Sequence, residues 1–277
     1  MTTARAMSAG IVVAVSFAMG CAAQEAEESV AASHDAIVNG TSTLERPGVG
    51  LLLDVTERKT GRVGVCTGTL IGKRTVLTAA HCISRPGQVS RFIVHDAQGV
   101  ATSSEVLGGA AGRFPAPGYV NLPESGATTE QFLANPDIAI VKIDRDLPAT
   151  PIRVASDTPV VGTFFTLVGY GATAPGATNA GNVREQTTNY IQGVEKLHVT
   201  FKAAGNVFGL SCGGDSGGPL LVRDNATGGE AVAAVTHFGD CETFSGYTRA
   251  DAVNAWIAKV SGGDVTFASD TGLPNAP

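Results

Sequence analysis

The chain has 277 residues, enough to bury a full core, and only 16% of them are charged. Its formal charge of -6 and the absence of a basic patch exclude an electrostatic nucleic-acid footprint, so no nucleic-acid partner is expected. Thirty-five glycines among short apolar runs argue for a loop-rich β protein rather than a helical one.

Arg5 gives the chain a positive start, and 9–19 is nearly continuous apolar sequence, too short to span a bilayer comfortably. Residues 1–20 therefore read as a signal peptide and 21–36 as a leader, and the mature protein is expected to be exported to the periplasm, the outer membrane or the medium. Ala18-Met19-Gly20-Cys21 resembles a bacterial lipobox, in which the cysteine becomes the lipidated first residue and attaches the chain to a membrane. Ala18 and Met19 depart from the residues that signal prefers, and an ordinary signal peptide cut near Gly20 or Ala23 is the alternative. Cys21 is also the one cysteine of five outside the folded unit; the other four allow three pairings.

From residue 37 onward, apolar and β-branched runs recur between glycine and proline turns, at 50–55, 69–78, 91–95, 138–143, 164–168, 194–201, 219–222 and 231–236. Prolines 148, 151 and 159 mark a linker over 144–159, dividing the unit into halves at about 37–147 and 157–249. Residues 172–182 read as an exposed loop. Helical spacing occurs only at 250–260, where Ala252, Val253, Trp256, Ile257 and Val260 share a face, so a terminal helix is predicted there. The tail over 261–277 has little to bury and is expected to be flexible.

The chemistry concentrates in three segments. Gly213-Gly214-Asp215-Ser216-Gly217-Gly218-Pro219 sets a lone serine on a glycine turn, where backbone N–H groups can converge on one point, as an acyl-transfer oxyanion requires. Thr78-Ala79-Ala80-His81-Cys82 offers a base that titrates near neutral pH. Asn135-Pro136-Asp137-Ile138 offers a carboxylate between them. No histidine pair or carboxylate cluster has metal-ligand spacing, 96–105 carries no clear calcium pattern, and no metal or other cofactor is expected. His34, His95, His198 and His237 lie outside these motifs, and an ordinary structural role is the expectation for each; by position His237 can line the substrate cleft.

The order His81, Asp137, Ser216 is that of the chymotrypsin arrangement, not of subtilisins or α/β-hydrolases. From Ile37-Val38-Asn39-Gly40 to Asp251-Ala252-Val253-Asn254-Ala255-Trp256-Ile257 the sequence resembles the trypsin/chymotrypsin family of serine proteases. The resemblance implies an all-β fold of two antiparallel six-stranded barrels with a C-terminal α-helix and the active site in the cleft between them. It implies a serine endopeptidase acting on protein or peptide substrates, with Ser216 as nucleophile, His81 as base, Asp137 orienting His81, and the amides of Gly214 and Ser216 as oxyanion hole. It also implies the disulfides Cys66–Cys82 and Cys212–Cys241.

The family's zymogen logic implies that cleavage frees Ile37 to pair with Asp215. Ala36 departs from the family's usual Arg or Lys at the cut, so the activating protease is unknown. If Cys21 carries lipid, that cut would separate the anchor from the enzyme. The resemblance places Leu210 and Ser211 at the base of the substrate pocket and Phe238 and Gly239 on its wall. Leu210 stands where trypsins carry Asp, so apolar or small side chains are expected before the cut, with Asp240 as an alternative source of acid. The rival readings are a catalytically inactive, protease-like binding protein and an esterase; the first is disfavoured because all three triad residues are present. A monomer is the default.

Overall fold

The computed structural model describes residues 37–53, 64–84, 90–123, 126–203 and 208–272. The expected signal peptide, the leader and Cys21 lie outside the described residues, as does the end of the tail, 273–277. The fold is all-β, with two sheets and few helices.

Strand β1 (Thr41–Ser42) begins the described secondary structure but belongs to the second sheet. The first sheet is made of β2 (Val49–Leu53), β3 (Val65–Leu70), β4 (Thr75–Thr78), β5 (Arg91–His95), β6 (Ala101–Glu105), β7 (Arg113–Pro115) and β8 (Ala139–Lys142), in the order β6-β5-β2-β3-β4-β8-β7. A bridge between Val106 and Ile143 joins the end of β6 to the end of β8, so the sheet curls back on itself. Helix α1 (Thr129–Leu133) precedes β8.

The second sheet takes β9 (Arg153–Ala155), β10 (Phe164–Gly169), β11 (Glu185–Tyr190), β12 (Gly193–Val194), β13 (His198–Lys202), β14 (Pro219–Arg223), β15 (Glu230–Gly239), β16 (Phe244–Arg249) and β17 (Phe267–Ala268). Its main path is β1-β11-β10-β14-β15-β16-β13-β12; β9 joins β15 and β17 in parallel. Helix α2 (Asn254–Ser261), entered through a 3₁₀ turn at Asp251–Val253, closes the unit and ends at Gly262, whose φ of 65° is a left-handed cap.

Three apolar clusters explain why several strands read as unbroken apolar runs. In β8, Ala139 and Val141 point into the first sheet's own core, while Ile140 and the preceding Ile138 point into a cluster shared with the second sheet. That shared cluster sets Val49, Ile71 and Leu77 against Val168, Leu221, Val232 and Val235, and α2 seals it with Ile257. A strand buried on both faces loses the polar alternation of a half-exposed one. Each such side chain contributes about 1.5–3 kcal/mol by leaving water.

Four expectations need correction. The run at 69–78 is not one strand: a turn between Leu70 and Thr75 separates β3 from β4. The linker over 144–159 contains β9, and β1 crosses into the second sheet, so the halves do not divide at 37–147 and 157–249. The tail is not structureless as far as residue 272. Strand β17 pairs with β9, Ala268 is buried, and the Asp264 carboxylate accepts from the amides of Lys73 and Arg74 and from the Thr75 hydroxyl at 2.7 to 3.0 Å. Its few apolar residues suffice because the body of the fold supplies an open strand edge. The six-strand count is exceeded in both sheets, since short strands such as β7 in the first and β1 and β12 in the second extend them.

Candidate active site

The triad candidates come from the two sheets. His81 lies in a 3₁₀ turn, Ala80–Cys82, just past β4, and Asp137 lies just before β8, the strand that pairs with β4. This register sets the two side by side. The His81 amide donates to Asp137 Oδ1 at 2.8 Å, and His81 Nδ1 lies 2.5 Å from Asp137 Oδ2. A carboxylate only accepts, so the proton sits on Nδ1, which leaves Nε2 as the ring's basic nitrogen. Asp137 is 1% exposed. Burial pushes its carboxyl up, but the charge and hydrogen bonds of His81, with the charge of His237, outweigh this and hold it below the ordinary carboxylate range.

Ser216 sits just before β14, and its carbonyl accepts from the Thr67 amide of β3 at 2.9 Å, so the first sheet holds the serine turn. Gly214 has φ 102° and Gly217 φ 80°, both in the left-handed region. A Cβ on Gly217 would lie 2.1 Å from the Thr78 hydroxyl oxygen, so this position also lacks room for a side chain. The turn is braced by Asp215 N–H to Cys212 C=O and Gly218 N–H to Asp215 C=O, at 3.0 and 2.7 Å. The Gly214 and Ser216 amides meet no protein acceptor among the described residues, so both can serve a ligand.

Asp215 turns inward and is 2% exposed; its carboxylate accepts from the amides of Gly171 and Cys212 at 2.7 and 2.8 Å. Burial, reinforced by the charge of nearby Glu185 and only partly offset by those two donors, pushes it up to about 7. The Ile37–Asp215 pair is expected of the cleaved form, not of the intact chain. Ile37 is buried, but in the intact chain its nitrogen is a peptide amide, and it donates to Glu185 Oε2 at 3.3 Å. An amide carries no charge with which to neutralise Asp215.

Both expected disulfides are present, Cys66–Cys82 beside His81 and Cys212–Cys241 beside the serine turn. Disulfides persist in oxidising, extracytoplasmic compartments, which suits export. His81, Asp137 and Ser216 open onto one cleft of about 460 Å³, which Ser211, Phe238, Gly239, Phe132 and Phe244 also line. Leu210 does not belong to it. Its amide bonds the Val38 carbonyl, and its side chain lies in the second sheet's core with Ile37. Asp240 is not a pocket acid either: its carboxylate caps the turn before β16, accepting from the amides of Glu242, Thr243 and Phe244.

Sequence reasoning missed three contributors. Glu185 has no motif around it. Helix α1 was announced by Thr128 and Gln131, a capping box, and it carries Phe132, which packs against His237 and Phe238. His198, expected to be ordinary, stands behind the triad candidates, while His237, placed by position at the cleft, lines it and also reaches behind Asp137. His237 Nε2 lies 3.2 Å from Asp137 Oδ2, and its Nδ1 lies 2.9 Å from His198 Nε2.

The trypsin family model matches residues 53–257. The chain is 31% identical to the Spaetzle-processing enzyme of Drosophila melanogaster over 69% of this chain and 57% of that protein. It is 34% identical to the cercarial protease of Schistosoma mansoni over 57% of this chain and 65% of that protein, and 29% identical to melanization protease 1 of Drosophila melanogaster over 80% and 65%. The chain thus spans 57 to 65% of the length of these relatives. With nearly the whole described β fold inside the matched span, the chain belongs to the trypsin-like serine protease family.

Proposed function

We propose that the chain is a serine endopeptidase, made as a zymogen, that cleaves peptide bonds through an acyl-enzyme. The observation that carries this reading is the His81–Asp137 pair opening onto the same cleft as a serine on a glycine turn with two unengaged amides. Ser216 Oγ adds to the scissile carbonyl carbon while its proton passes to His81 Nε2. Asp137 fixes the tautomer that makes this transfer possible and stabilises the imidazolium. The carbonyl oxygen, now an oxyanion, accepts from the Gly214 and Ser216 amides, an interaction worth about 100- to 1,000-fold in rate per donor. The tetrahedral adduct collapses as His81 returns the proton to the leaving amine. Water, activated by the same imidazole, then releases the acyl group and restores Ser216.

A fluorophosphonate added to the form beginning at Ile37 should modify Ser216, with the adduct located by peptide mass spectrometry. Folded protein that stays unmodified would sink the reading and favour a binding protein.

The cleft supports a preference for apolar or small side chains before the cut. Phe238 and Phe244 face it from two paired strands, and Ser211 brings only a hydroxyl, already 3.0 Å from that of Ser245. Among the described residues, a buried Arg or Lys would find no carboxylate lining the cleft beyond Asp137, which His81 engages. Peptides differing only in that residue should be cleaved at least about tenfold faster with Phe, Leu or Ala than with Arg. A preference for Arg overturns the assignment.

A further inference from the structure

The polar contacts behind Asp137 require a count of protons. His198 Nδ1 lies 3.1 Å from the Leu133 carbonyl oxygen, which only accepts, so Nδ1 carries a proton. At the other end, His237 Nε2 makes an ion-pair contact with Asp137 Oδ2 at 3.2 Å, where a bare lone pair would face the negative carboxylate, so a proton is favoured there too. Between them, His198 Nε2 and His237 Nδ1 lie 2.9 Å apart, which is a hydrogen bond only if one proton lies between them. Three protons on four ring nitrogens is one more than two neutral imidazoles hold.

We propose that His198 and His237 are a buried imidazole pair sharing one proton, and that this pair is the counter-charge that positions Asp137 against His81. It extends the line of polar contacts from the His81 ring through Asp137, by an ion-pair contact, to His237, His198 and the end of α1. The proposal rests on the catalytic reading of His81, Asp137 and Ser216.

Every group around the pair bears on its charge. His237 faces Asp137, His198 and His81, whose ring centroid is 6.4 Å away; His198 faces Asp137, Arg249, the Leu133 carbonyl and the Thr248 hydroxyl. Asp137 favours a proton on both rings, while Arg249 opposes one on His198 and His81 opposes one on His237. Burial pushes each ring down, His198 to about 4 and His237 to about 3, which disfavours a proton on each ring separately. A single shared proton meets a different balance. Asp137 is itself a buried charge, and its carboxylate draws a cation that removes an acceptor-to-acceptor contact at 2.9 Å. Phe132 and Phe238 pack edge-on against the His237 ring.

The test is direct. In the full chain labelled with ¹⁵N-histidine, three of the pair's four ring nitrogens should be protonated between pH 6 and 8; two protonated nitrogens would overturn the proposal. This readout needs no turnover, so its failure is distinct from a failure of Ser216 to react. Kinetics of the active enzyme give a second readout. His198→Leu should lower kcat about tenfold at unchanged KM. His198→Gln should recover little of that, because its amide N–H can again donate to His237 Nδ1 but brings no positive charge, and full recovery would overturn the counter-charge. In both variants the lost cation no longer opposes protonation of His81, so the acid limb of the kcat/KM profile should move up by about one pH unit. A purely structural role would lower activity and leave the limb in place, which would also overturn the proposal.

Discussion

Asp137→Asn is expected to lower kcat by about 10⁴-fold with the fold intact. The substitution keeps the shape and removes the charge, so the loss falls on tautomer control. If the Asn amide nitrogen faces His81, the ring must present Nδ1 as an acceptor and carry its proton on Nε2, the position that has to receive the Ser216 proton. If the amide turns over, its nitrogen faces His237 Nε2 and the pair behind it loses its counter-charge. Neither orientation reproduces what a carboxylate does between two N–H donors. The measurement is kcat from pH 6 to 9, normalised to the fraction of sites that react with a fluorophosphonate. More than about 1% of wild-type activity would remove Asp137 from the mechanism. The stability profile carries a second sign. Asp137 is held below the ordinary carboxylate range, so it stabilises the native state at neutral pH and that contribution disappears on acidification; the Asn variant should lack this acid-side loss.

The second large effect is expected at Ile37. The intact chain should react with a fluorophosphonate about 100- to 1,000-fold more slowly than the form beginning at Ile37, given the roughly 3–5 kcal/mol at stake when a buried charge lacks its partner. The reason lies in Asp215, whose carboxyl rises from an ordinary 3.8 to about 7 in the intact chain. A carboxyl raised on folding stabilises the native state fully below about pH 4 and loses that contribution as pH rises through 7, a difference of roughly 4 kcal/mol. Above pH 7 the intact chain must therefore ionise Asp215 in place or let the serine turn rearrange. Cleavage converts the Ile37 amide into an ammonium with an ordinary pKa of about 7.7–8.0. That cation would arise beside the buried Glu185 carboxylate, whose charge also acts on Asp215. Melting temperatures of the two forms should accordingly diverge between pH 5 and 8, with the intact chain falling. Equal reactivity and parallel melting curves would remove the switch while leaving the protease reading untouched.

Much of the site was legible in the sequence because its signals are local. A serine among glycines needs left-handed backbone within two residues, and Gly214 and Gly217 supply it. The run 138–143 showed its burial in its composition, because both of its faces meet core. The pocket was less legible. Leu210 and Ser211 are adjacent in sequence but point to opposite faces, one into the second sheet's core and one into the cleft, and the antiparallel bridge to Val38 decides which is which.

The β class, the glycine turn around Ser216, the order of the three candidate groups and the cysteines available for bridging were all readable from the sequence. Tertiary structure alone decided what surrounds them. Glu185 meets Ile37 across 148 residues of chain, and His237 meets His198 across 39, with Asp137 beside it from the other sheet. Backbone conformation and apolar periodicity are set within a few residues, so they can be read along the chain. Charge pairing and proton count belong to side chains from distant strands, and a shift of one residue in register would turn each of them to the opposite face.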